Sequence, residues 1–205
     1  MKKVTVEEHY NLLIREGNDP SNDPPALQSY MDKWDGQPFI SVLALQPNSN
    51  ILEIGVGSGR LAKKVLESGC GHFTGIDLSP STIDKAKENL KAWNNISLLK
   101  GDFTGYQFTE TFDTIYCSLT LFHFKDKRSF IKKTAGLLRE KGRLVLSIPK
   151  QKEYVINCGS REVDLYPDDS NEIEALALEA GLCLFSTTDV EFAHILVFVN
   201  MLHDS

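Results

Sequence analysis

From residue 51 onward, short apolar runs alternate with longer stretches in which apolar residues recur every three or four positions. The runs at Ile51–Ile54, His72–Asp77, Ile96–Lys100, Phe112–Ser118 and Arg143–Pro149 predict five strands. Between them the helical period predicts helices over Ser58–Ser68, Ser79–Asn94 and Lys127–Glu140, with a further one near Tyr106–Glu110. Ser79-Pro80 is a start signal, serine capping and proline in the first turn, and Gly142 is expected to end the helix before the fifth strand. Strands and helices in this alternation imply a parallel sheet with helices on both faces.

The rhythm changes after Pro149. Lys152 to Tyr166 alternates like a small hairpin, Asp168 to Gly181 reads as a helix, and strands are predicted at Leu182–Glu191 and His194–Asn200. The link between those two strands is too short for a crossover, so they must be antiparallel, since parallel neighbours need a dozen or more connecting residues. At the other end, the breaker-rich Asn18–Pro25 divides a short helix around Glu7–Arg15 from a longer one within Ala26–Leu45. These helices precede the first strand and have no sheet position, so a cap over the sheet's ligand edge is expected.

Composition narrows the class. With 205 residues, 41% hydrophobic and 24% charged, the chain suits one domain with a full core. Its parts are expected to be a cap at 1–46, a core at 47–150, a hairpin insertion at 151–168, and a last helix with antiparallel hairpin at 169–205. A net charge of -6 argues against a phosphate-neutralising surface. Lys125, Lys127, Arg128, Lys132 and Lys133 are read as a solvated helix face, and no nucleic-acid partner is expected. Cys70, Cys117, Cys158 and Cys183 lack metal-ligand spacing and read as buried, reduced thiols, so no metal is expected. The opening residues lack the apolar core of a secretion signal, and the apolar stretch Ile195–Leu202 is too short to cross a bilayer. The expectation is a cytoplasmic protein without membrane attachment, monomeric or homodimeric.

The richest chemistry lies in Ile51-Leu52-Glu53-Ile54-Gly55-Val56-Gly57-Ser58-Gly59-Arg60, where a strand meets a helix through alternating glycines. A dinucleotide fingerprint wants glycine or alanine three places after its second glycine; counted from Gly57, that place is Arg60. Taken with Asp77 ending the second strand, Gly101-Asp102-Phe103 after the third, Phe112-Asp113-x-Ile115 opening the fourth and Gly142–Ser147 in the fifth, this pattern resembles the class I S-adenosylmethionine-dependent methyltransferases. The resemblance is close over residues 40 to 150. It implies an α/β fold with a doubly wound, Rossmann-like seven-stranded sheet, mostly parallel with an antiparallel last strand, plus the N-terminal helical cap. It also implies S-adenosyl-L-methionine as cofactor. Gly55, Val56, Gly57 and Gly59 would cradle its methionine part and Glu53 support its amino group. Asp77 would accept the ribose hydroxyls and Leu78 and Leu119 wall the adenine. Asp102 would take the adenine amino group, with Gly101 and the Phe103 backbone at the ring edge and Ser118 beside the cofactor.

Methyl transfer from a sulfonium is an in-line displacement, so the protein mainly aligns the acceptor and excludes water. A base is needed only where the acceptor must lose a proton. His123 after the fourth strand and Tyr10, with His9, on the first helix are candidates, and so is His194, with Glu191, at the turn between the last strands. The acceptor pocket is expected to be walled by the cap, the hairpin after Pro149 and the turn near His194. Ser118-Leu119-Thr120-Leu121 replaces the Asn/Asp-Pro-Pro-Tyr motif used on planar amino groups. Cys117 is followed by serine, which disfavours cytosine-carbon methylation. The leading expectation is methyl transfer to an oxygen or nitrogen of a small-molecule acceptor. The alternative is a non-catalytic cofactor-binding module, with protein or nucleic-acid methylation behind it.

Overall fold

The computed structural model describes residues 2–201; Met1 and residues 202–205, including the end of the apolar stretch at Leu202, lie outside the described part. Seven strands form the main sheet: β2 (Asn50–Ile54), β3 (His72–Asp77), β4 (Ile96–Lys100), β5 (Phe112–Ser118), β6 (Leu138–Pro149), β9 (Leu182–Asp189) and β10 (Ala193–Asn200). Their order is β4-β3-β2-β5-β6-β10-β9. The first five run parallel, and β10 is antiparallel to both its neighbours. The sheet is therefore the predicted one, with β9 again parallel to β6.

Alternation along the strands fills two cores, one on each face. Leu52, Ile54, Ile115, Cys117, Leu146 and Phe198 pack on one side against α6 (Lys127–Leu137) and α7 (Ser170–Glu179). Ile51, Phe73, Tyr116, Val145 and Val197 pack on the other against α3 (Gly36–Val42) and α4 (Arg60–Ser68). Burial on both faces explains the near-continuous apolar character of these strands. α5 (Pro80–Asn89) starts as predicted, the Ser79 hydroxyl accepting from the Thr82 N–H at 3.1 Å with Pro80 in the first turn.

Several boundaries differ from the sequence reading. No helix forms at Tyr106–Glu110: the Lys133 ammonium takes the carbonyls of Thr104 and Tyr106, and Phe108 turns inward against Phe103 and Phe112. Gly142 does not end a helix. α6 stops at Leu137, and Gly142 lies inside β6, where a Cβ would stand 2.8 Å from the Arg139 carbonyl oxygen. The single helix expected within Ala26–Leu45 is split into α2 (Pro25–Met31) and α3, because Asp35 turns inward and Gly36 adopts a positive φ of 60°. The hairpin after Pro149 is present as β7 (Val155–Asn157) and β8 (Arg161–Asp164), and β1 (Lys2–Lys3), which the sequence did not signal, pairs parallel with β8. Two of the four cysteines, Cys158 and Cys183, are exposed rather than buried. Lys127 is buried, not solvated; its chain leaves the α6 surface to pair with Asp168.

Candidate functional site

Each parallel strand delivers its last residues to one edge, and there β2, β3, β4 and β5 open onto a cavity of about 660 Å³. The N-terminal segment covers it. α1 (Val6–Arg15) lies against α5, where the Asn11 side-chain oxygen accepts from the Ser79 hydroxyl and the Ser81 N–H at 2.8 and 3.1 Å. The short turn Pro20–Asn22 sits on the start of α4, with the Ser21 N–H on the Ser58 hydroxyl.

On the sheet side the wall is acidic, with Glu53 buried, Asp77 half-buried and Asp102 exposed. Glu53, at the end of β2, lies beside Tyr116 in the strand register and accepts its phenolic hydrogen at 2.8 Å. Burial pushes its carboxyl up to about 8, against the pull of that hydrogen bond, so near neutral pH it is largely protonated. Asp77 accepts from the Gly57 N–H at 3.0 Å and the Ser79 N–H at 2.9 Å. Burial raises its pKa while those backbone donors oppose the rise. Asp102, one turn past β4, accepts from the Thr104 N–H and hydroxyl. A carboxylate has about four acceptor sites, so both aspartates keep capacity for a ligand's hydroxyl or amino hydrogens.

The glycine turn has distinct duties. Gly55, at φ 79°, faces the Thr120 side chain so closely that a Cβ would stand 2.2 Å from its hydroxyl oxygen. Gly57, at φ 56°, has open space where a side chain would point. Gly59 caps α4 at φ 94° and is not part of the cavity lining; a Cβ there would meet Leu90 at 3.1 Å. Opposite the turn, Leu119 also carries a positive φ of 52°, a strained conformation for a leucine, held between β5 and the turn Leu121–His123.

The cap contributes the other wall. Tyr10 and His123 meet with the phenolic oxygen 2.9 Å from the imidazole Nε2 and their rings edge-to-face. Burial holds His123 down to about 4, helped by His9 and Lys127, and burial raises the Tyr10 hydroxyl. The pair is thus neutral near pH 7, and the buried His123 Nδ1 has no hydrogen-bond partner among the described residues. Met31 and Trp34 also line the cavity.

Of the residues picked from sequence, Glu53, Gly55, Val56, Gly57, Asp77, Leu78, Gly101, Asp102, Phe103, Ser118, Leu119, Tyr10 and His123 all line the cavity. His194 does not: it lies in a separate groove with Lys152, Asp169 and Ser170, its Nδ1 2.6 Å from Asp189. Glu191 is tied to Lys33 at 2.9 Å, and the hairpin β7–β8 is likewise absent from the lining. Sequence reasoning passed over Asp35, whose fully buried carboxylate takes the Arg60 guanidinium at 3.0 and 2.5 Å and the Ser118 hydroxyl at 2.7 Å. It also passed over Tyr116, although period-two alternation from Ser118 puts it on the face that holds Glu53's neighbours.

Comparison with known proteins agrees with this geometry. Residues 51–142 match a family described as a methyltransferase domain. An uncharacterized methyltransferase of Anoxybacillus flavithermus is 33% identical over 124 residues, 58% of this chain and 57% of that protein. Nodulation protein S of Rhizobium tropici is 29% identical over 138 residues, 66% of this chain and 57% of that protein. The matched stretch spans a little over half the length of these relatives. Among solved structures, the N-methyltransferase NodS from Bradyrhizobium japonicum, in complex with S-adenosyl-L-homocysteine, has a TM-score of 0.68 at 22% identity, covering 93% of this chain and 97% of that one. The magnesium protoporphyrin IX methyltransferase of Synechocystis, with bound S-adenosylmethionine, has a TM-score of 0.72 at 18% identity, covering 95% of each chain.

Proposed function

We propose that this chain, whose residues 51–142 match a methyltransferase-domain family, moves a methyl group from S-adenosyl-L-methionine to a nucleophilic oxygen or nitrogen of a small molecule. The observation that carries this reading is one covered cavity with two unlike walls: Glu53, Asp77 and Asp102 on one, Tyr10 and His123 on the other. The cofactor supplies an electrophilic methyl on a sulfonium. Glu53 and the open space at Gly57 would receive its amino acid part, Asp77 its ribose hydroxyls and Asp102 its adenine amino group.

The cap then has two tasks. It shuts water from the cavity, and it holds the acceptor in line with the methyl carbon. Tyr10 and His123 are the polar groups offered to the acceptor. A histidine held near 4 is a poor proton sink at pH 7, so the pair would orient an acceptor that already bears a free lone pair. The cavity's size, shared with the cofactor, leaves room for a small acceptor.

Incubation with S-adenosylmethionine labelled in its methyl group and a fractionated metabolite extract tests this reading. Label is expected in the small-molecule fraction, with S-adenosylhomocysteine formed in equal amount. Label in protein or nucleic acid would contradict the acceptor class, and tight cofactor binding with no transfer to any fraction would favour a non-catalytic module.

A further inference from the structure

The β7–β8 hairpin is absent from the cavity lining, yet it and the residues that follow it hold both halves of the Tyr10–His123 pair, which are 113 positions apart in the chain. On one side Arg161 of β8 sets its guanidinium on Glu16 at the end of α1 through bonds of 2.7 and 2.8 Å. Its Nε donates to the His9 Nδ1 at 3.1 Å. Pairing of β1 with β8 ties down the segment leading into α1, so the helix that carries Tyr10 is fixed at both ends. On the other side the Tyr166 N–H donates to the Phe122 carbonyl at 2.8 Å. Lys127 donates to the carbonyls of Leu121 at 2.7 Å and Tyr166 at 2.9 Å while paired with the buried Asp168. The turn carrying His123 is thereby fastened to the residues that leave the hairpin.

We propose that Arg161 and Lys127 are positioning residues, and that through them the hairpin sets the contact between Tyr10 and His123. The inference rests on the reading of that pair as the acceptor wall. Buried ionic groups add little net stability compared with apolar residues of the same volume, but each fixes its partners' geometry through directional bonds. Here the bonds from the two cations end on α1, on the His123 turn, or on Tyr166 and Asp168 between β8 and α7.

The test follows the His123 ring by NMR in the full-length protein across pH. Facing that ring are Tyr10 and His9 from α1 and Lys127 from α6, with Phe122 beside it. In the wild type its protonation midpoint should lie well below the ordinary histidine range and change in Tyr10→Phe. In Arg161→Met, and in Lys127→Met combined with Asp168→Asn so that no charge is stranded, the midpoint should rise by about one unit or more. Arg161→Lys, which lacks the forked contact, should fall between. S-adenosylhomocysteine affinity should stay within about twofold throughout, because the donor wall shares no bond with either cation. Should those variants not fold, Glu16→Gln at a half-exposed position weakens the same grip and should move the midpoint the same way. A Tyr10-dependent signal that all these variants leave unchanged overturns the positioning role alone. A wild-type signal identical to that of Tyr10→Phe overturns the pair itself, and the positioning role with it.

Discussion

The two walls of the cavity are built on opposite plans. The wall proposed for the donor is made of Glu53 and Asp77 at strand ends and Asp102 just past β4, each within a few residues of a glycine. The wall proposed for the acceptor is made of a cap helix and a short turn after β5, braced by a hairpin absent from the lining and joined by side chains far apart in sequence. Backbone geometry fixes the first wall; long side-chain contacts fix the second. Substitutions should therefore separate the two, with donor changes felt in cofactor affinity and acceptor changes felt in turnover.

The largest separation is expected from Asp77→Ala. It removes a half-buried carboxylate that receives two backbone N–H groups, and S-adenosylhomocysteine affinity should fall about a hundredfold, ~2.8 kcal/mol. Calorimetric titration reads this directly; an unchanged affinity would remove Asp77 from the donor wall. Next comes Tyr10→Phe, which keeps the ring and deletes the bond to His123. Transfer to the acceptor should drop about tenfold or more while affinity for S-adenosylhomocysteine moves less than about twofold. A parallel loss of both would mean that the walls are not independent.

Smaller effects distinguish the walls by pH. His123 is held at about 4 when folded against an ordinary 6.5, so the unfolded chain binds the extra proton between those values. Stability from this group is present above 6.5 and is lost as pH falls toward 4. Glu53 acts in the opposite sense: its carboxyl is raised from 4.5 to about 8, so its contribution is present below 4.5 and is lost as pH rises through 8. Urea midpoints across pH should thus fall less steeply on the acid side in His123→Gln, and less steeply on the alkaline side in Glu53→Gln. The smallest effect is expected of His194→Gln. Its ring sits in the other groove with Asp189, so both affinity and turnover should stay within about twofold.

The same contrast explains what the sequence disclosed. The five parallel strands, the antiparallel pairing of β9 with β10 and most of the residues lining the cavity from the sheet follow from local signals: apolar runs, a short final link, glycines at strand ends and acidic residues beside them. The His123–Tyr10 contact could be suspected, since both residues fall at the right edge, but Arg161 and Lys127 could not. Lys127 belongs to a run of basic residues that reads as solvated, and only the depth of Asp168 draws it inward. His194 was expected beside the cavity and lies instead in a separate groove with residues at the start of α7. Asp35 escaped notice for a related reason: its partner Arg60 is 25 positions away, and the kink between α2 and α3 exists to join them.

The donor wall can be tested most directly through the proton on Glu53. In the free protein its carboxyl is held at about 8, and the ammonium of a bound S-adenosylhomocysteine would pull it down, releasing up to about one proton per ligand near pH 7. Titrating S-adenosylhomocysteine in two buffers of different ionisation enthalpy measures that release. The account predicts saturable binding whose heat depends on the buffer, a dependence lost in Glu53→Gln. Absence of saturable binding, or binding whose buffer dependence persists unchanged in Glu53→Gln, would contradict it.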